Sequence, residues 1–239
     1  MLIDASSLSY QTLNETVRSA GGECRIEGCL GQRFIGAGLS NCRISIDGIP
    51  GNALGAYLNG ASIRVDGNAQ DAVGDTMNAG TIVVHGNVGD AAGYAMRGGA
   101  IYVRGDAGYR AGVHMKAYGD KLPVMVIGGR TGSFLGEYQA GGIIVVLGLH
   151  RENQPIAGYF CGTGMHGGKV FLRSACEDVI FPSQVTARPA TPEDLEEIRP
   201  ELEEFGRLFG ENPEELLDAP FTVVTPDSST PYRQMYVAN

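Results

Sequence analysis

The stretch LGAYLNGASIRVDG (54–67), VGDTMNAGTIVVHG (73–86) and AGYAMRGGAIYVRG (92–105) decides the fold. In each segment a glycine is followed three residues later by Leu or Met, then by an alternating apolar strand that closes on another glycine. The first five of these repeat glycines are 19 residues apart, and the full set is Gly36, Gly55, Gly74, Gly93, Gly112, Gly136 and Gly162. A fixed period of this length indicates a solenoid, whose units must stack to bury their apolar faces.

The strand of each repeat has a period of two. Since successive side chains along a strand point to opposite faces, one apolar set is predicted to line the interior. This set stands two and four positions before each closing residue: Cys24 and Ile26, Ile44 and Ile46, Ile63 and Val65, Ile82 and Val84, Ile101 and Val103, Val124 and Val126, Ile144 and Val146, Val170 and Leu172. We predict an all-β solenoid, a parallel β-helix of about eight coils of 19 to 20 residues over 24–180. The repeat alone does not give its handedness.

The outward positions of the strands change in character along the chain. Early coils carry charged residues there, such as Arg25, Glu27 and Arg64. Later coils carry apolar side chains, and the residues predicted to form this candidate interface are Met125, Ile127, Val145, Leu147 and Phe171. A patch of this kind is large for the surface of a monomer. Two alternatives are open: the chain's own C-terminal helix covers the patch, or another subunit does.

The chain is predicted to have three parts. Residues 1–23 form an N-terminal lead and cap, residues 24–180 the β-helix, and residues 181–239 an acidic tail. Thr191-Pro192 is typical of a helix start and precedes an apolar stripe, which predicts a helix over 192–209. A second such signal predicts a short helix over 213–218, followed by an extended end. Residues 181–239 hold 12 of the 27 acidic and 4 of the 18 basic residues, which disfavours nucleic acid as a partner.

Composition places the chain in a reducing compartment, and we predict a cytoplasmic location. Its five cysteines show no CxxC spacing, which favours free thiols. No apolar run reaches the length of about 18 residues needed to cross a membrane, and the first 20 residues lack the pattern of a signal peptide.

No catalytic, cofactor-binding or metal site is predicted in this chain. The histidines, His85, His114, His150 and His166, are not at metal-ligand spacing to cysteines or carboxylates. Gly162-x-Gly164-x-x-Gly167 matches a dinucleotide fingerprint in form, but it opens onto a strand rather than a helix. The catalytic alternative is a carbohydrate-active β-helix enzyme using turn carboxylates, and its candidates are Asp71, Asp75, Asp90 and Asp106.

The repeated G-x-x-[LM]-x-x-G units resemble the GXGXG domain at the C-terminal end of the glutamate synthase large subunit. The resemblance covers essentially all of residues 24–180 and implies a right-handed β-helix. A chain of this length with an acidic helical tail is similar to the stand-alone form found in archaeal-type glutamate synthases and N-methylglutamate synthases. Formylmethanofuran dehydrogenase has a subunit with the same repeat, and that subunit is the alternative family member.

The resemblance also implies a role. In glutamate synthases the β-helix carries no catalytic residue and holds the catalytic domains in register, so this chain is expected to be a non-catalytic scaffold. The start Met1-Leu2-Ile3 lacks the N-terminal cysteine that is the family's glutaminase nucleophile. The partners implied are an FMN-binding synthase subunit, with FMN and an iron–sulfur cluster, and a glutamine amidotransferase subunit. A homo-oligomer is also open.

Overall fold

The structure, a computed structural model, describes residues 1–229 of the 239-residue chain. Its elements are β1 (Leu2–Asp4), α1 (Tyr10–Ala20), β2 (Glu23–Leu30), β3 (Arg43–Ile49), β4 (Asn59–Val65), β5 (Ala79–Val84), β6 (Ala100–Val103), β7 (Val124–Ile127), β8 (Ala140–Val146), β9 (Gly167–Leu172), β10 (Val185–Pro189), α2 (Pro192–Phe209), α3 (Pro213–Leu217) and β11 (Thr222–Pro226).

All eleven of these strands belong to one sheet. Strands β1 to β9 follow one another in chain order and are parallel, one strand per coil. The predicted parallel β-helix is confirmed. The sheet then reverses direction, because β11 pairs antiparallel with β9 and β10 pairs antiparallel with β11. Strands β1 and β10, one at each edge, were not predicted from the sequence.

The interior of the solenoid consists of stacked apolar side chains. Ile63 pairs with Ile82 and Val65 with Val84 in register, and all four are fully buried. Within each coil, the residue three positions after the repeat glycine also points inward, as Met77 does. Burying an aliphatic side chain of this size contributes about 1.5–3 kcal/mol before the entropic cost of ordering the chain. The core therefore extends along the whole axis of the solenoid.

One strand, β7, has the opposite phase from the predicted one. Met125 pairs with Ile101 and Ile127 with Val103, so Met125 and Ile127 point into the core. Val124 and Val126, predicted to be interior, point outward instead.

The phase error arises from the choice of closing glycine. The prediction counted from Gly128, but Gly129 takes the place that Gly105 has in the preceding coil. A Cβ on Gly129 would lie 2.0 Å from Asp106 Oδ1, just as one on Gly105 would lie 2.0 Å from Asn87 Oδ1. The tandem glycines hide this one-residue shift, which reverses the side-chain phase of the whole strand.

The repeat glycines stand where a coil turns close to the next one. Gly74 has φ +70°, and a Cβ there would lie 2.4 Å from Ile101 Cδ1. Gly112 has the same φ, and its Cβ would lie 2.3 Å from Ile144 Cδ1. Only glycine adopts this backbone conformation readily and leaves room for the isoleucine of a neighbouring coil. The 19-residue period is thus the number of residues between successive positions at which a glycine backbone lies against an apolar side chain of a neighbouring coil.

Helices occur on both sides of the coils in the chain: α1 before them, and α2 and α3 after them. Helix α1 begins at Tyr10, after the capping residue Ser9, whose hydroxyl accepts a hydrogen bond from the Thr12 amide. The helix buries Leu13 and Val17 against the first coil. Helix α2 begins with a capping box between Thr191 and Asp194 and spans the range predicted for it. The predicted extended end at 226–239 lies largely outside the described residues.

Candidate interaction surface

The apolar outer face of the later coils is covered by the chain's own tail. Val145, Leu147 and Phe171 are fully buried, and they pack in one cluster with side chains of α2, α3 and β11. The tail residues of this cluster are Ile198, Leu202, Phe205, Leu216, Leu217, Phe221 and Val223. The candidate interface predicted at this face is therefore corrected: the face is internal, because an apolar helix stripe of matching length lies against it.

Polar contacts order the tail internally and join it to the coils. Arg188 donates two hydrogen bonds to the Asp194 carboxylate, at 2.6 and 3.1 Å, and Arg173 donates to the Leu216 carbonyl at 2.8 Å. The hydrogen bonds from Arg188 lower the pKa of Asp194 well below its usual range. A charge-assisted pair of this kind orients the start of α2 relative to the edge strand β10.

A buried tyrosine provides a second polar contact on the outer face. The Tyr102 hydroxyl on β6 donates a hydrogen bond to the Glu201 carboxylate on α2. Burial is the main cause of the raised pKa of Tyr102, and the neighbouring Glu201 adds to it. The hydroxyl is thus neutral and serves as a hydrogen-bond donor between sheet and helix.

The turn carboxylates proposed for carbohydrate chemistry hold the coils together. Asp71 accepts a hydrogen bond from the Asp90 amide, and Asp90 accepts one from the Tyr109 amide in the next coil. Asp106 accepts from the Arg130 amide, in a different row of turns, and Asp75 accepts from the Thr76 hydroxyl. At least one oxygen of each of these four carboxylates is therefore engaged in a hydrogen bond of the turns.

Among the described residues, no group of His, Cys, Asp and Glu side chains could hold a metal ion. His114 stacks on Tyr138 with ring centroids 5.1 Å apart, and His85 packs edge-on against Phe209. Cys161 is fully buried, and burial raises its pKa to about 12. Such a thiol is protonated at neutral pH and lacks the electropositive, accessible surroundings of a nucleophile.

The formal dinucleotide fingerprint has no ligand space. Gly162 faces the Val185 and Val224 side chains of the tail, 3.2 and 3.7 Å from a hypothetical Cβ. The Gly164 amide, which would have to face a phosphate, donates to Gln184 Oε1 at 3.1 Å. The segment leads into β9, so no helix N-terminus is present to bind a pyrophosphate.

Exposed aromatic side chains instead mark one corner of the solenoid. Phe134 stacks on Phe160 with ring centroids 5.0 Å apart, and the Arg110 guanidinium lies 4.9 Å from the Phe134 ring centroid. Phe160 and Tyr159 are 55% and 69% exposed. This corner was not predicted from the sequence, although its aromatic residues recur at fixed offsets before the repeat glycines.

Next to this corner lies a cleft of about 460 Å³, whose walls include Tyr109, Arg130, Ser133, Gln154, Tyr159 and Ile180. We call it the Arg130 cleft. Ile180 is 77% exposed at its rim. An open cleft with aromatic, apolar and cationic walls is suited to recognition of another molecule rather than to acid–base chemistry.

The comparisons with known proteins identify the class to which this solenoid belongs. The family model of the GXGXG motif matches residues 4–226, and the chain is a member of the GXGXG family. The match extends beyond the coils into the tail, as far as β11.

Individual proteins similar to the chain include a sequence relative and a protein of known structure. The uncharacterized protein MJ1350 of Methanocaldococcus jannaschii is 41% identical over 99% of this chain and 96% of its own length. One similar solved structure is a chain of the formyltransferase/hydrolase complex FhcABCD from Methylorubrum extorquens in complex with methylofuran. It has 19% identity and a TM-score of 0.64, over 92% of this chain and 88% of that one. This second likeness shows a shared fold.

Proposed function

We propose that this protein is a non-catalytic scaffold subunit of a glutamate-synthase-like complex. In this role it holds an FMN- and iron–sulfur-containing synthase subunit and a glutamine amidotransferase subunit in register. Amide nitrogen is transferred to a 2-oxo acid in those partners, and the chain itself binds no cofactor. A cytoplasmic location accompanies the proposal, and none of the described helices could span a membrane.

The observation that carries the proposal is that polar turn residues form hydrogen bonds that stabilise the stack of coils. Three of the four candidate carboxylates, Asp71, Asp90 and Asp106, accept hydrogen bonds from the next coil, and the Cys161 thiol is buried. The GXGXG family match over 4–226 supports a scaffold. A rigid stack of coils with one strand spacing of about 4.8 Å per coil is well suited to fixing distances between bound partners.

A second candidate is a formyltransferase- or formylmethanofuran-type complex. The observation favouring it is the fold shared with a chain of the FhcABCD complex. In that case this chain would also be a scaffold, but its partners would differ.

The test is a gentle pull-down of the tagged chain from its native cells, with mass spectrometry and an absorption spectrum of the eluate. A flavin spectrum with synthase and amidotransferase subunits is the expected result. Recovery of a molybdenum or tungsten protein, or of formyltransferase subunits, would move the assignment to the second candidate. Glutaminase activity or bound FMN in the isolated chain would contradict the scaffold role.

A further inference from the structure

The Arg130 cleft contains a cation that none of residues 1–229 neutralises. Arg130 Nε is buried without a hydrogen-bond partner in the described part of the chain. The nearby Asp178 carboxylate, which also lines the cleft, is paired with Arg151 at 3.6 Å. Arg130 also lines the cleft, where the planar fork of a guanidinium can form two charge-assisted hydrogen bonds to a carboxylate at once.

The two tyrosines of the cleft are spaced to hold a flat group. Tyr109, Ser133 and Tyr159 each stand three residues before a repeat glycine, in three successive coils. Two coil spacings place the tyrosines about 10 Å apart, with only the small Ser133 side chain between them. Paired aromatic rings have centroids about 4.5–7 Å apart, so one further ring can lie between the two tyrosines.

The surroundings favour an acidic occupant. Arg130 and Asp178 are the charged side chains among the residues that line the cleft. Because Arg151 offsets Asp178, Arg130 is the uncompensated charge of the cleft, and it attracts a carboxylate.

We propose that the Arg130 cleft binds an acidic peptide segment of a partner chain. A carboxylate of the segment pairs with Arg130, and an aromatic side chain next to it lies between Tyr109 and Tyr159. The cleft is open at its rim, so both ends of an extended peptide can leave it, and Tyr and Arg are the residues that most often dominate binding energy at interfaces. The proposal deepens the scaffold function and rests on it.

The first test uses the isolated full-length chain and N-acetyl-L-phenylalanine, a probe that combines a ring with a carboxylate. Titration followed by ¹H–¹⁵N NMR should shift the amides of Gly132 and Gly158, which line the cleft, with a dissociation constant of about 1 mM. N-acetyl-L-phenylalaninamide, which lacks the carboxylate, should bind at least about tenfold more weakly, the loss of one charge-assisted contact.

Matched variants show whether the probe binds at the Arg130 cleft. Arg130→Gln and Tyr159→Ala should each weaken the probe about tenfold, whereas Arg97→Gln, which removes the same charge from an exposed site outside the cleft, should not. Equal binding by Arg130→Gln and Arg97→Gln overturns the proposal, as does a probe that shifts no cleft amide. Spectra of the free variants show whether each remains folded.

A second test separates this proposal from the proposed function. In the pull-down, Arg130→Gln should recover about tenfold less partner than Arg97→Gln. If both recover the same amount, the cleft proposal fails while the scaffold function stands. If no partner is recovered with the wild-type chain, the scaffold function fails, and the probe titration still decides whether the cleft binds a carboxylate.

Discussion

Replacing Gly74 by alanine tests the physical reason for the repeat. The new Cβ would lie 2.4 Å from Ile101 Cδ1 in a buried site, and the residue would keep φ +70°. The left-handed backbone conformation costs about 1–2 kcal/mol for a residue with a Cβ, and overpacking a core costs about 1–3 kcal/mol. We therefore expect Gly74→Ala to lower the free energy of unfolding by about 2–5 kcal/mol.

Gly38 supplies a matched control for the backbone part of this cost. It has φ +68°, but no heavy atom lies within 4 Å of its hypothetical Cβ. Gly38→Ala should therefore lower the free energy of unfolding by only about 1–2 kcal/mol. Both variants are measured by urea denaturation, and the slope of each transition is compared with that of the wild-type chain. The difference between the two variants isolates the contact with the neighbouring coil.

A double-mutant cycle identifies the atom responsible. Ile101→Val removes the Cδ1 atom that the new methyl group would meet, and alone it should cost about 0.5–1.5 kcal/mol. Combined with Gly74→Ala, it should cost at least about 0.5 kcal/mol less than the sum of the single changes. If Gly74→Ala is no worse than Gly38→Ala, or if the two changes simply add, the close-contact explanation of the 19-residue period is refuted.

Three further predictions concern the tail and a buried thiol. Phe205→Ala should destabilise the protein by about 3–5 kcal/mol in urea denaturation, because Phe205 is fully buried on the outer strand face; the exposed Glu203→Ala should change it by less than about 0.5 kcal/mol. Asp194→Asn should cost about 1–2 kcal/mol at pH 7. Since the folded pKa of Asp194 is lowered, its stabilisation is present above pH about 4 and is lost as the pH falls, so a cost independent of pH would contradict the assignment. At pH 8, Cys161, with its pKa of about 12, should react with Ellman's reagent only after unfolding; peptide mapping checks this.

Most of the fold is predictable from sequence because each coil repeats the same contacts. The period of the glycines and the alternation of strands such as Ile82 to Val84 predict the stacking direction and the interior. The prediction is wrong for β7, where either Gly128 or Gly129 could close the repeat. The pairing of Met125 with Ile101 and the hydrogen bond from the Arg130 amide to Asp106 in the preceding coil fix the choice. Such long-range contacts have no signature in the strand itself.

Contacts between elements that are distant in the chain, as in the tail and the cleft, cannot be predicted from the sequence. The start of α2 is predictable since capping residues are local signals, but its packing partner is not, because an apolar stripe matches any apolar face of suitable length. The Arg130 cleft escapes sequence analysis for a similar reason. Its cation and its two tyrosines come from different coils, and the acidic residue that also lines it, Asp178, is paired with Arg151.

The reversal of strand direction at the end of the sheet has a consequence for self-association. A stack of parallel coils ending in a bare parallel strand would offer a template on which a second molecule could continue the stack, as in fibrils. Strand β11 runs against β9, and β10 ends at Pro189, which has no backbone N–H to donate. At the other end β1 has only three residues, and the short strand offers few hydrogen bonds. The edge strands at both ends of the sheet thus disfavour end-to-end polymerisation.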